Sequence, residues 1–488
     1  MPALGLKGSI VRHARSFKSP DSYTASLNFM PQATRIADVG PLMGDRNSSA
    51  FIAFRVCFNA RFYYPIFMIL FLDLGLSIED FALLNAVWAA VIVCLEVPSG
   101  ALADLVGRRA LVVGAGVIMV IEVGILCILP VGNTSLVFWG ILANRILSGA
   151  AEALASGADE ALTYDSLKLD GREGEWPSVL ERLTKFRSLA MVGAMVTGAA
   201  IYDPSFLNWV LSILGQSPTL TKADTIKLPL ILNLVTAVLA LLAALRLVEP
   251  SADQADEEKL TARQAFRAAI QAGRWILSTP TALVVILAGI LFDSVVRQFM
   301  TSTSQYFRVI SVPDAWLGVL SAVFGVIGFL VSGFARKLAE DRSPRFNFML
   351  LSGATLAGLI GAALAIPYWG LGFVLILSGV MTVGNFLLSQ YLNRLTESAS
   401  RATVLSFKGL AMNLAYGGAG LLYMALVAGL RSRQSSALGS QEVIDAAVFV
   451  QTLSWFPGYF IVFAMLFIGL VRLRYPSLNL DRELKEST

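Results

Sequence analysis

The chain has one histidine, three cysteines and few charges, and each scarcity removes a class of chemistry. The histidine, His13, precedes every long apolar run, so no buried imidazole can relay protons or ligate a metal. Cys57, Cys94 and Cys127 fall singly inside apolar runs, without the paired spacing of a disulfide framework or a zinc site. No metal and no cofactor are therefore expected. No G-x-x-x-x-G-K-[ST] loop occurs, which excludes an ATP-driven machine of that type. The residues offer no nucleophile or metal cluster for an enzyme, and no repeated loop that would make a channel filter. Only 15% of the chain is charged, where a soluble domain carries about 25%. With 56% hydrophobic residues and a mean hydropathy of +0.68, most of the 488 residues belong in lipid. The net charge of +4 is modest, and no nucleic-acid partner is expected.

What is present is a series of apolar segments of spanning length, about 17 to 25 residues each. They read as 51–72, 81–102, 110–131, 135–157, 186–203, 228–248, 279–302, 314–337, 346–367, 370–391, 403–429 and 448–472. Between 249 and 278 the pattern turns polar, and its end, from Thr261, reads as a short amphipathic helix on the membrane surface. The expectation is an all-α membrane protein of twelve transmembrane helices in two pseudo-symmetric six-helix halves, 51–248 and 279–473. A tail over 1–50, a linker over 249–278 and a tail over 474–488 complete it. Basic residues such as Arg108, Arg109, Lys168, Arg172, Arg336, Lys337, Arg394 and Arg472 gather on one side, which puts both termini in the cytoplasm. The first residues are basic and serine-containing; a cytoplasmic tail is the plain reading and a transit peptide the other.

A polar turn divides the second and third spans: Gly100-Ala-Leu-Ala-Asp104-Leu-Val-Gly107-Arg108-Arg109. An acid and two arginines are too costly to leave in hydrocarbon, so this turn sits at a membrane surface. Its spacing, G-x-x-x-D-x-x-G-R-R, resembles the loop between the second and third helices of major facilitator superfamily transporters. A degenerate basic copy runs from Gly333 through Arg336 and Lys337 to Arg342 in the second half. The fourth-span run Asn144-Arg145-Ile-Leu-Ser-Gly149 is similar to the fourth-helix motif of drug–proton antiporters. Ser156-Gly157-Ala-Asp159-Glu160 and the residues after it, with Glu96-Val-Pro98 before the turn, resemble a mostly bacterial, efflux-like branch. The fifth helix departs from the antiporter pattern. Gly193-Ala-Met-Val-Thr-Gly198 supplies small residues for close packing but no proline.

The resemblance implies alternating access to a central cavity lined by the first, fourth, seventh and tenth helices. It implies a monomer in a bacterial cytoplasmic membrane, with the bilayer, a small-molecule substrate and protons as partners. Gly100, Asp104, Gly107, Arg108 and Arg109, with Asp159 and Glu160, form the expected conformational gate, in which Asp104 pairs with an arginine or with a helix end of the other half. Charges at mid-depth are expensive unless they face water or a partner. Those on the four lining helices give the candidate substrate residues: Asn59, Arg61, Tyr63, Tyr64, Arg145, Glu152, Asp293, Arg297, Asn385 and Gln390. Glu152 and Asp293 are the candidate proton carriers. Asp293 and Arg297, four residues apart, read equally as a self-neutralising packing pair, and Glu122 on the peripheral third helix reads as structural. If Arg61, Arg145 and Arg297 face Glu152 and Asp293, the cavity is net positive by about one charge and suits an anionic or zwitterionic organic molecule. Proton-coupled efflux is the first expectation. Proton-coupled uptake, or a sensor or lipid-handling protein on the same fold, are the alternatives.

Overall fold

A chain in lipid has no water to satisfy its backbone, so each crossing segment closes its own hydrogen bonds as a helix. The computed structural model describes residues 43–217, 219–249, 262–396, 401–434, 441–478 and 480–482, and among them no strand occurs. The first half comprises α1 (Met43–Asn59), α2 (Phe67–Asp73), α3 (Ile78–Val106), α4 (Arg108–Ile128), α5 (Thr134–Ala155), α6 (Ala158–Leu169), α7 (Trp176–Tyr202), α8 (Pro204–Ile213), α9 (Lys222–Thr225) and α10 (Leu228–Leu245). A bridging helix, α11 (Ala262–Ser278), leads to the second half. This comprises α12 (Pro280–Thr301), α13 (Thr303–Val309), α14 (Leu317–Asp341), α15 (Pro344–Ala363), α16 (Gly370–Leu395), α17 (Arg401–Gln434), α18 (Gln441–Leu453) and α19 (Trp455–Arg474).

Among the described residues ten helices are long and apolar enough to span, eleven with the bent pair α7 and α8, and counting α5 gives the expected twelve. Span 1 is α1 with α2, span 6 is α9 with α10, and span 12 is α18 with α19. α7, the fifth span, is followed by α8 at a bend of 88°. α5, the fourth span, is 22 residues long but carries Asn144, Arg145 and Glu152, which dilute its hydropathy; it packs between α3 and α4. Helix ends carry their own stop signals. Ser77 and Asp80 form a capping box at the start of α3, and Ser343 caps α15 ahead of Pro344. The halves meet along α3 against α17 and α7 against α14.

Several helices outrun their apolar runs. α1 starts at Met43, inside the segment read as a tail; α7 starts at Trp176 rather than 186, and α17 reaches Gln434. The added turns carry charges such as Asp45, Arg182 and Arg433, which a hydropathy window rejects but a helix end beyond the hydrocarbon accepts. α11 extends to Ser278 and packs against both α3 and α17. Below, the side bearing Gly107 and α11 is the linker face, and the opposite side is the distal face.

Candidate functional site

Span 1 is broken in its middle. α1 stops at Asn59, and the chain turns through Ala60–Tyr63 before a short 3-10 turn that carries Pro65, which has no N–H to continue a helix. The freed backbone groups find partners on the sixth span: Asn233 Oδ1 accepts from Phe62 N–H at 3.2 Å, and Thr236 donates to the Ala60 carbonyl at 3.3 Å. The fifth span reaches the break through Gly198, where a Cβ would lie 1.9 Å from the Phe62 carbonyl oxygen. Only glycine permits that approach.

Arg61 sits at the break, 4% exposed, and donates to Glu122 Oε1 at 2.7 Å; Glu122 itself is 0% exposed. The Asn144 amide nitrogen donates to Glu122 Oε2 and, at 2.9 Å, to the Glu122 carbonyl. That turns Asn144 Oδ1 toward Arg145, whose Nε and Nη2 donate to it at 2.9 and 2.7 Å. The Arg145 guanidinium also stands over Phe67 and Phe71, 5.2 and 5.5 Å from the ring centres. One line of bonds thus joins Arg61, Glu122, Asn144 and Arg145 across spans 1, 3 and 4.

The second half holds a comparable group. Asp293 and Arg297 pair at 2.5 Å, and Arg297 also donates to Asn413 at 2.9 Å and lies over Tyr416. Lys408, on α17, donates to Ser389 Oγ at 2.9 Å and is electrostatically coupled to Asp293. Asp293 lines a small crevice with Asn385, Gly384, Leu388 and Met412. Tyr416, under the Arg297 guanidinium, also lies within the field of Arg145.

The remaining candidates are distributed as follows. Tyr64 is 47% exposed and feels Arg61, Arg145 and Glu152, while Tyr63 is buried edge-on against it. Glu152 is exposed two turns along α5 from Arg145. Asn59 folds back onto the Arg55 carbonyl at 2.8 Å, and Gln390 is half-buried on α16. Sequence reasoning did not select Lys408, Asn413 or Tyr416. The signal for Lys408 was present, as a lone cation inside the apolar run 403–429. Glu122, read as a packing charge, is the acceptor that Arg61 and Asn144 share.

On the linker face, Gly107 adopts φ +92°, which L residues rarely take, and separates α3 from α4. The Glu249 carboxylate accepts from the Arg108 and Arg109 backbone N–H groups at 3.0 and 2.6 Å, capping α4 at its positive end. The Arg108 side chain pairs with Asp165, and Arg109 donates to the Leu247 carbonyl at 2.7 Å. Gly100 and Asp104 lie on the last turns of α3, and the Asp104 side chain is outside the described residues. Asp159 is buried against Arg55, 2.7 Å away, and burial pushes its carboxyl up to about 6 against the pull of that arginine. Glu160 is exposed. The Arg108–Asp165 and Arg55–Asp159 pairs each stay within the first half.

On the distal face the pairs cross between halves. Arg308 forks onto Asp73 with two bonds of 2.7 Å and also binds Asp314. Lys222 reaches Asp314 at 3.0 Å, and the Tyr202 hydroxyl donates to Asp73 at 2.6 Å. A second clamp joins Arg431 of α17 to Glu79 of α3 at 2.6 Å and to Asp445. Ser304 Oγ accepts from the Met68 and Ile69 N–H groups.

The sequence pattern of the Major Facilitator Superfamily matches residues 49–420. No curated protein matches the chain in sequence. Among solved structures, a bacterial homologue of the human lysosomal transporter Spinster, inward-facing and unoccupied, aligns with a TM-score of 0.64 at 15% identity, over 91% of this chain and 97% of its own. The nucleoside transporter NupG aligns with a TM-score of 0.64 at 13% identity, over 88% and 99%. A D-xylose–proton symporter aligns with a TM-score of 0.53 at 14% identity, over 85% and 96%.

Proposed function

The chain belongs to the Major Facilitator Superfamily and is a multi-pass membrane transporter, not an enzyme, and on that premise we propose that it carries a small organic anion or zwitterion by alternating access. The observation that carries this reading is Arg145: a guanidinium 4% exposed, bonded to a neutral amide and two ring faces. A buried cation without a counter-charge is expensive, and an anionic substrate supplies one at the centre of the molecule. The distal clamps favour a state closed on that face. With both termini in the cytoplasm, as the basic residues favour, that state opens inward.

Coupling is assigned to protons, with Asp293 and Glu152 as the carriers. Asp293 sits beside Arg297 and within the field of Lys408, so its charge state and an arriving anion bear on the same cations. The fourth-span and loop motifs support efflux from a bacterial cytoplasmic membrane by a monomer. The test is proton-coupled flux of organic anions in right-side-out and inverted vesicles. Accumulation that follows the pH gradient and is lost in Asp293→Asn supports the reading. Gradient-independent flux removes the coupling, and uptake into right-side-out vesicles reverses the direction.

A further inference from the structure

Each half sets one carboxylate among two cations. In the first half Glu122 neutralises Arg61, and Arg145 reaches that carboxylate only through Asn144. In the second, Asp293 neutralises Arg297, and Lys408 is held by a serine hydroxyl. No carboxylate among the described residues lies within ion-pair distance of Arg145 or of Lys408. Among the bonded groups one positive charge is therefore left over in each half, with Glu152, exposed two turns along α5 from Arg145, standing outside the first of them. The two groups have no sequence similarity, and their carboxylates stand on different spans, the third and the seventh; what they share is the charge pattern.

We infer that the substrate is a dianion with two separated acidic groups, one held by Arg145 of the first half and the other by Lys408 of the second. This rests on the anion reading above and narrows it. Separation of the two groups is expected from α17, where Lys408 lies eight residues, about 12 Å along the axis, before Tyr416, the ring under the Arg297 guanidinium that is also within the field of Arg145. A flexible lysine shortens that span by several ångströms. A molecule with both charges on one group reaches only one cation, whereas one with a spacer reaches both. Bridging also explains how binding moves the halves, because a ligand held by both halves stabilises the arrangement that brings its two anchors together.

The test measures thermal stabilisation of the full-length protein in lipid nanodiscs by three probes: suberate, octanoate and glycerol phosphate. Suberate and octanoate share a chain length and differ in the second carboxylate, while glycerol phosphate carries both charges on one group. Stabilisation grows with the logarithm of ligand saturation, so apparent affinities follow from titrations. Suberate is expected to bind about 10- to 100-fold more tightly than octanoate, the range for one charge-assisted hydrogen-bonded contact. Arg145→Gln and Lys408→Gln should each bring suberate down to the octanoate level, while Lys408→Arg keeps the difference. The unliganded melting temperature of each variant reports whether it folds. Equal binding of suberate and octanoate, or a suberate preference unchanged in Lys408→Gln, overturns the inference. If octanoate still binds and depends on Arg145, the anion reading survives. If none of the probes binds while an amine of the same length does, both fall. Preference for glycerol phosphate over suberate also overturns the two-group arrangement.

Discussion

Replacing Glu122 with glutamine tests whether the first-half network is an ion pair that holds the broken span. The substitution keeps volume, and the Gln amide oxygen still accepts one hydrogen bond, so no cavity forms. What it removes is the counter-charge of Arg61, which is 4% exposed and donates to Glu122 across 2.7 Å. Breaking one side of a buried pair leaves an uncompensated charge and costs about 3–5 kcal/mol. Arg61→Gln exposes the opposite orphan and should cost a similar amount. The double variant has neither charge, so its loss should fall short of the sum by about 2 kcal/mol or more, the sign of direct coupling. Reversible unfolding in mixed micelles measures all three. Additive losses, or a Glu122→Gln loss below about 1 kcal/mol, would refute the pairing and return Arg61 to the cavity as a free substrate ligand.

Other substitutions test single contacts. Gly198→Val would force a side chain into the Phe62 carbonyl, where even a Cβ would lie 1.9 Å away, and should abolish monodisperse protein by size-exclusion chromatography, whereas Gly193→Val, with open space around it, should not. Asp73→Asn removes the charge that Arg308 grips with two bonds, and should raise the labelling rate of cysteines placed between the halves on the distal face several-fold. Asp159 predicts a pH effect of known sign. Its carboxyl stands at about 6, above its unfolded value, so the folded state holds the proton more tightly. The stabilisation is fully present below about pH 4 and is lost as pH rises through 6, by about 3 kcal/mol. Thermal unfolding from pH 4 to 7 should show that fall in the wild type and a flatter profile in Asp159→Asn.

Most of the spans could be read from hydropathy because lipid enforces long apolar helices, and their charged ends were lost for the same reason. The break at Ala60–Tyr63 left only a partial trace, Arg61 and Pro65 inside an otherwise apolar run. Asn233 and Thr236, which satisfy its backbone, and Gly198, which makes room for it, stand more than a hundred residues away. Charge residues were found one by one, but their neutralisation is a property of pairs. Arg61 reads as a cavity cation until Glu122, sixty-one residues on, is seen beside it. The turn at Gly107 was recognised from spacing. Its partner Glu249 was not, since nothing local ties a carboxylate after the sixth span to a helix start after the second.

Alternating access is tested most directly by two spin-label distances recorded on the same protein. One pair joins the 129–133 turn to the 365–369 turn across the distal face; the other joins the 170–173 turn to the 342–344 turn across the linker face. In Asp73→Asn/Arg308→Gln the account predicts a longer distal distance together with a shorter linker-face distance. Distances that stay fixed, or that lengthen together, would contradict it.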